Sequence, residues 1–116
     1  MIFAIDFDGT LVEHAFPAIG KPLPGAVDTV KALIAAGHRV IIWTCRKGVH
    51  ELEAREWLRD NGINYEKFNE NPPDVVDMLS GSTRKVFAHV YIDDRSFPAF
   101  TGWDEVRKKF LEEVKP

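Results

Sequence analysis

The sequence predicts a three-layer α/β fold, with a central parallel sheet and helices on both of its faces. Short apolar stretches rich in β-branched residues alternate with segments of helical periodicity, and glycines follow two of the helical segments. Such alternation is typical of parallel sheets whose strands are connected through helices. The composition, 45% hydrophobic and 28% charged, is that of a globular domain and argues against disorder.

Four strands and four helices are expected, in strict alternation after the first strand. The first helical segment carries apolar residues three and four positions apart, as an amphipathic helix does. Gly37 and Gly62 each follow a helical segment, where a glycine commonly ends the helix. The predicted strands are residues 2–7, 39–44, 63–68 and 88–94, and the predicted helices are residues 24–37, 49–62, 72–80 and 103–114.

Length and composition limit the domain organisation and the classes of partner. We expect residues 1–116 to form a single domain, in which the Pro- and Gly-rich residues 11–23 form a short flap. The net charge of −3 provides no overall attraction to nucleic acid or to anionic membranes. Apolar runs are far shorter than the roughly 20 residues of a membrane helix, and no signal peptide is recognised. With its single cysteine, the chain is expected to be cytoplasmic.

Polar side chains follow three of the predicted strands. Asp6 and Asp8 lie at and just past the end of the first strand, Thr44 ends the second, and Asp93 and Asp94 end the fourth. In parallel sheets the carboxyl ends of the strands form one edge, where ligands bind. Four carboxylates in one crevice would repel one another, and a hard divalent cation with oxygen ligands would neutralise them. The sequence therefore predicts a Mg²⁺ site at Asp6, Asp8, Asp93 and Asp94.

The same edge suggests phosphoryl chemistry. Asp6, on a rigid strand end, is suited to attack phosphorus and form an aspartyl-phosphate. Asp8 stands two residues further on, where it could donate a proton to the leaving oxygen and later accept one from water. Gly9 permits the tight turn that brings backbone N–H groups toward phosphoryl oxygens, and is a candidate substrate-binding residue.

Further candidates for substrate binding lie after the second strand and before the fourth. The Thr44 hydroxyl could bind a phosphoryl oxygen, although the residue could also simply cap the next helix. Lys85 could balance the charge of phosphoryl transfer, with Arg84 as its rival, or be an ordinary solvated lysine. Cys45 is expected to be a packed thiol, because the arginine spacing of a cysteine phosphatase loop is missing. Cys45 and Arg46 remain candidates for substrate contact.

These motifs, in this order, resemble the haloacid dehalogenase-like (HAD) hydrolase superfamily. DFDGT ends the first strand, WTCR ends the second, a lysine precedes the fourth strand and IDD ends it. The resemblance covers nearly the whole chain, and it implies that Asp6 is the nucleophile and Asp8 the general acid and base. Members that cleave carbon–halogen bonds lack the second aspartate, so Asp8 implies phosphomonoester hydrolysis.

The resemblance also implies how the ligands are held. Asp93 would bind Mg²⁺ directly, Asp94 directly or through water, and Asp8 through its backbone carbonyl, while Thr44 and Lys85 would hold the phosphoryl group. Many members carry a cap domain that reads the substrate, but the segments where caps are inserted are too short here. The chain therefore resembles small capless bacterial and phage-type members whose substrates are unassigned.

A small phosphate ester is the expected substrate, and nucleic acid is disfavoured by the net charge. Without a cap, the flap, a neighbouring subunit of a homo-oligomer or a macromolecular substrate would have to exclude water. Two other function classes remain open. A receiver-like signalling domain also clusters aspartates, but its phosphoacceptor lies on a middle strand, and here that strand ends in Thr44. A non-catalytic binding module would have lost site residues, and no such loss is visible.

Overall fold

Strands and helices alternate along the chain after β1, and the strands form one parallel sheet. The computed structural model describes residues 1–112. The strands are β1 (Ile2–Ile5), β2 (Arg39–Ile42), β3 (Lys67–Phe68) and β4 (Val90–Ile92). The helices are α1 (Ala26–Ala35), α2 (Gly48–Asp60), α3 (Pro73–Met78) and α4 (Trp103–Phe110). The fold class predicted from the sequence, a Rossmann-like α/β domain with a parallel sheet, is confirmed.

The strand order β3-β2-β1-β4 determines where a site can form. The chain runs from β1 through β2 to β3 at one edge, and then crosses to the other side of β1 to form β4. The connections therefore leave β1 in opposite directions, which opens a crevice at the carboxyl ends of β1 and β4. Ile5 pairs with both Ile42 and Ile92, so that Asp6 and Asp93 each come one residue beyond this row.

The strands are buried on both faces, which explains why they read as continuous apolar runs. Phe3 and Ile5 point into a core that also contains residues of α1, α2 and α4. Ile2 and Ala4 point to the opposite face, where they pack with Val75 of α3. In the described residues, no helix is long and apolar enough to span a bilayer.

Helices α1 and α2 end just before Gly37 and Gly62, as the sequence predicts. Gly62 has a φ of 70° and its N–H donates to Arg59 O, while the N–H of Ile63 donates to Leu58 O at 3.0 Å. Gly37, with a φ of 93°, ends α1 through the same pair of backbone bonds. Both are Schellman motifs, in which a residue of positive φ lets the last carbonyls find donors.

The strands are shorter than predicted, for identifiable reasons. Ile63 is apolar and β-branched, but it is buried as part of the end of α2, so β3 begins only at Lys67. β1 ends at Ile5 because the backbone then turns, with Leu11 N donating to Phe7 O. The last helix ends at Phe110, and positions 113 and 114 of its predicted range lie outside the described residues.

Residues 11–23 form the flap between β1 and α1. Its two arms run antiparallel, with a bridge between Val12 and Pro22. The N–H of Glu13 donates to Lys21 O at 2.8 Å, and the N–H of Leu23 donates to Leu11 O at 2.9 Å. These bonds give the flap a defined shape despite its proline and glycine content.

Candidate functional site

Three carboxylates meet at the carboxyl ends of β1 and β4. Oxygens of Asp6, Asp93 and Asp94 all lie within 4.8 Å of one another, and each residue is half-buried. Asp6 directly follows β1, and its N–H donates to Ile92 O of β4 at 3.0 Å, which extends the sheet pairing by one residue. The adjacency of β1 and β4 thus brings together residues that are almost 90 positions apart in the sequence.

The electrostatics of the cluster are those of crowded, partly buried carboxylates. Burial raises the pKa of Asp6 to about 8, and the hydrogen bond with Asp94 and the charge of Asp93 act in the same direction. For Asp94, burial opposes ionisation, but hydrogen bonds with His14 and Asp6 outweigh it and lower its pKa. In the absence of a cation, these effects favour the protonated form of Asp6.

Thr10 positions two of these carboxylates, a role that the sequence analysis missed. Its fully buried hydroxyl donates to Asp6 Oδ2 at 3.1 Å and accepts the N–H of Asp94 at 3.2 Å. Its carbonyl accepts the indole N–H of Trp103 at 2.8 Å, which ties α4 to the site. The signal was present as the threonine of DFDGT, but its partners depend on the packing of β1 against β4.

Gly9 and His14 both lie next to the Asp94 carboxylate. Gly9 has a φ of 86°, and a Cβ at this position would overlap His14 Nε2 and Asp94 Oδ2, so glycine is required for both conformation and space. The Gly9 N–H donates to Val12 O at 2.7 Å. His14 Nε2 lies 2.8 Å from Asp94 Oδ2 and so joins the flap to the acidic cluster. The sequence offers no spacing that marks His14.

Asp8 does not join the cluster through its side chain. Both of its carboxylate oxygens accept hydrogen bonds from Arg46, from Nε and Nη2, each at 2.8 Å. Among the described residues, the carboxylate oxygens close enough to share an ion belong to Asp6, Asp93 and Asp94, and the expected contribution of Asp8 to metal binding stays a prediction. The Arg46 guanidinium, a candidate for substrate contact, is buried and bonded within the protein.

Thr44 and Cys45 follow β2 at the same edge of the sheet. Asn69, which follows β3, accepts the N–H of Thr44 and donates to its carbonyl, both at 2.8 Å. The Thr44 hydroxyl accepts the N–H of Arg46 at 3.2 Å. Cys45 is exposed, so the expectation of a packed thiol is wrong. β2 ends at Ile42, and Thr44 and Cys45 lie beyond it in the lining of the cleft.

A cavity of about 320 Å³ opens beside the carboxylates. Its lining combines the strand ends with the flap and includes all the predicted site residues except Gly9 and Lys85. The lining residues are Asp6, Asp8, His14, Phe16, Thr44, Cys45, Arg46, Asp93, Asp94 and Arg95. A larger groove of about 780 Å³ runs along α2 toward the amino end of β3, on residues away from this cluster.

Lys85 is the predicted site residue that lies apart from the others. It is exposed, and its Nζ lies 5.3 Å from the centroid of the Tyr91 ring. The segment that follows it is anchored by Asn71, whose side-chain oxygen accepts the N–H of Phe87 at 2.7 Å. Its assignment to phosphate binding therefore stays a prediction.

Known proteins resemble this chain in sequence and in structure. No family model matches it. A protein of Bacillus cereus described as a "Putative nucleotidase" is 23% identical over 124 aligned positions, which cover 84% of this chain. The chain spans 65% of the length of that relative.

A solved structure is similar over almost the whole chain. It is the structure of a conserved protein coded by a locus of Bacteroides thetaiotaomicron, with a TM-score of 0.84 and 37% sequence identity. The match covers 97% of this chain and 93% of the other. The two folds and their element order therefore correspond, and the chain belongs to the family of this conserved Bacteroides protein.

Proposed function

We propose that this chain is a Mg²⁺-dependent phosphatase of the HAD superfamily, which hydrolyses a small phosphomonoester through an aspartyl-phosphate. The observation that carries the proposal is the meeting of Asp6, Asp93 and Asp94 within 4.8 Å of one another at the carboxyl ends of two adjacent strands. The similarity to a protein described as a "Putative nucleotidase" supports phosphoester hydrolysis. The DFDGT, WTCR and IDD motifs supply the finer assignment to the superfamily.

The acidic cluster fits a hard divalent cation. The three residues of the cluster offer carboxylate oxygens, which are ligands that suit Mg²⁺. The group includes no sulfur or imidazole ligand of the kind typical of zinc. Burial and the neighbouring carboxylates raise the pKa of Asp6, so a cation bound between these oxygens would favour its ionised form. A bound Mg²⁺ would offset two of the three negative charges that the ionised carboxylates carry, and it would polarise the oxygens of a phosphate.

Asp6 and Asp8 would share the chemistry of two successive displacements. A carboxylate oxygen of Asp6 would attack phosphorus as the P–O bond to the alcohol breaks, and Asp8, after taking up a proton from solvent, would give it to the departing oxygen. Water then attacks the aspartyl-phosphate and passes a proton to Asp8, which releases inorganic phosphate and regenerates Asp6. The hydrogen bond from Thr10 to Asp6 Oδ2 helps to hold the carboxylate that would attack.

The rest of the cavity would select the ester. Thr44 is proposed to bind a phosphoryl oxygen, and Lys85 is proposed to approach the phosphate when substrate is bound. The cavity of about 320 Å³ is partly covered by His14 and Phe16 of the flap. Such a space favours a small phosphate ester over a folded macromolecule.

Turnover of p-nitrophenyl phosphate tests the proposal. We expect the wild type to release p-nitrophenol with Mg²⁺, and both Asp6→Asn and EDTA to abolish release. Asp77→Asn, the same chemical change on exposed α3, is the matched control and should retain full activity. Circular dichroism of each variant checks that its fold is kept.

The other outcomes identify the alternatives. A phosphoprotein that forms from a phosphodonor and persists without turnover would favour a signalling domain. Phosphate-ester binding without phosphoprotein or turnover, across a panel of esters, would favour a binding module. Activity that survives Asp6→Asn would remove Asp6 from its role as nucleophile.

A further inference from the structure

Arg46 is a buried cation whose hydrogen bonds are all made within the protein. Its residue is only 3% exposed, and its guanidinium carbon lies 5.2 Å from the ring centroid of Phe7 and 5.1 Å from that of Phe16. All five of its N–H donors have acceptors: two on Asp8, and one each on the carbonyls of Pro17, Ala18 and His50. No donor is left for a substrate in this arrangement.

These acceptors lie on three different segments of the site. Asp8 follows β1, and the pair of 2.8 Å bonds holds its carboxylate in a fixed plane. Pro17 and Ala18 are in the flap, and their carbonyls accept at 3.2 and 2.9 Å. Phe16 of the flap covers one side of the guanidinium and contacts the ring of His50 at a centroid distance of 5.1 Å. One side chain therefore connects the proton-transfer group to the flap.

We propose that Arg46 is a positioning residue that couples the flap to the orientation of Asp8. If the flap lifts, two N–H groups of a buried guanidinium lose their acceptors, which is costly unless water or substrate replaces them. If Asp8 is displaced from its position, Arg46 loses the carboxylate that binds it among the described residues, and it holds the flap less firmly. Opening of the flap and release of Asp8 therefore favour each other.

The effect of Arg46 on catalysis rests on the proposed phosphatase activity, because Asp8 is the general acid in that proposal. A departing alkoxide needs a proton more than the weakly basic p-nitrophenolate does. A residue that orients Asp8 should therefore affect alkyl phosphates more than p-nitrophenyl phosphate. General damage to the fold would lower the rates for both esters by similar factors.

The first experiment compares kcat/KM for an alkyl phosphate and for p-nitrophenyl phosphate in wild type and Arg46→Lys. Lysine keeps the charge but cannot bind both Asp8 oxygens and the flap carbonyls in one plane. We expect a loss of about 30-fold for the alkyl ester, within the range of general acid catalysis, and only about threefold for the aryl ester. Equal losses for the two esters would overturn the role of Arg46 in orienting Asp8.

Arg55→Lys is the matched control. Arg55 also lies over a phenylalanine, with its guanidinium carbon 4.5 Å from the Phe68 centroid, and also binds a carboxylate, Glu51 at 2.9 Å. It lies outside the cavity lining, so the same substitution should leave the ratio of the two kcat/KM values unchanged. A changed ratio in Arg55→Lys would show that the readout is not specific to the site.

The second experiment measures how readily the flap opens, and it does not depend on enzymatic activity. Hydrogen exchange of residues 11–23 should be about tenfold faster in Arg46→Lys and in Asp8→Asn, as expected when charge-assisted hydrogen bonds are lost. Because the two residues act through one contact, the double variant should exchange no faster than the faster single variant. Unchanged exchange in either single variant would overturn the coupling.

The two experiments separate the two proposals. If the wild type hydrolyses neither ester, the phosphatase proposal fails, and the exchange data alone decide whether Arg46 couples the flap to Asp8. If the enzyme is active but the exchange is unchanged, the phosphatase proposal stands and the coupling is refuted.

Discussion

At the scale of single residues, the site depends on how a few polar groups are buried and bonded. Asp6 is the extreme case, with a pKa raised to about 8 because burial and neighbouring carboxylates disfavour its charge. Thr10 contributes a buried hydroxyl that serves Asp6 and Asp94 at once. Each feature predicts a measurable effect of a single substitution.

The raised pKa of Asp6 predicts a pH-dependent stability of the metal-free protein. The folded state, with a pKa of about 8 against 3.8 for the ordinary side chain, binds the proton more tightly than the unfolded state. Protonation of Asp6 therefore adds to the free energy of unfolding. This contribution is complete below pH 3.8 and is lost progressively as the pH rises to about 8. Asp6→Asn removes this titration, so its melting temperature relative to wild type should rise with pH.

Thermal denaturation in EDTA between pH 4 and pH 8 measures this difference, which also contains the change in the titration of Asp94 when its hydrogen bond with Asp6 is altered. A difference in melting temperature that is constant over this interval would contradict the assigned direction of the pKa shift.

Replacing Thr10 by valine should destabilise the site without changing the volume of the side chain much. The substitution leaves a part-buried Asp94 N–H without its acceptor and Asp6 Oδ2 without its Thr10 donor, at a cost of about 1–3 kcal/mol. Urea denaturation measures this cost as the difference in free energy of unfolding between Thr10→Val and Thr10→Ser, which keeps the hydroxyl. If the serine variant is as unstable as the valine variant, packing of the methyl group matters more than the hydrogen bonds.

At the scale of elements, helix ends and strand ends were predictable to different degrees. α1 and α2 stop at Gly37 and Gly62 because each helix end needs a residue of positive φ, and this requirement is visible in the sequence. The predicted length of β3 was too great, because Ile63 has the apolar, β-branched character of a strand residue but packs at the end of α2. Local pattern alone cannot separate these two roles of a buried isoleucine.

Gly37→Ala isolates the backbone cost of a helix stop. Gly37 has a φ of 93° and open space around its Cβ position, so alanine meets strain but no clash. We expect a loss of about 1–2 kcal/mol, the cost of left-handed backbone for a residue with a Cβ. Asparagine tolerates this region better, so Gly37→Asn should lose less in urea denaturation. Equal losses would point to a cause other than backbone conformation.

At the scale of the whole molecule, strand order creates the candidate site. β1 lies between β2 and β4, so the residues that follow β1 and β4 converge on one crevice. The register places Asp6 and Asp93 beyond the row in which Ile5 pairs with Ile92. The flap borders this crevice: its His14 lies 2.8 Å from Asp94 Oδ2, and Arg46, which follows β2, donates both to Asp8 and to carbonyls of the flap.

A divalent cation should stabilise the whole fold. An ion that binds only the folded state adds about 2.7 kcal/mol at one hundred times its dissociation constant. The melting temperature should therefore rise with MgCl₂ in the wild type and in Asp77→Asn, but not in Asp93→Asn. An equal rise in all three proteins would indicate a general salt effect and would contradict the assignment of Asp93 as a ligand.

The sequence by itself determined the order of the elements, the parallel sheet and the strand ends that carry Asp6 and Asp93. These follow from local signals, namely apolar periodicity, glycine stops and polar residues after buried strands, together with the general rule that parallel strands end at one edge.

Only the tertiary structure decided which polar groups of that edge face one another. Asp94 joins Asp6 and Asp93, Asp8 turns to the buried Arg46, and Lys85 lies apart against Tyr91. The reason is that side-chain direction and partner choice depend on contacts between residues far apart in the chain, which no local pattern encodes.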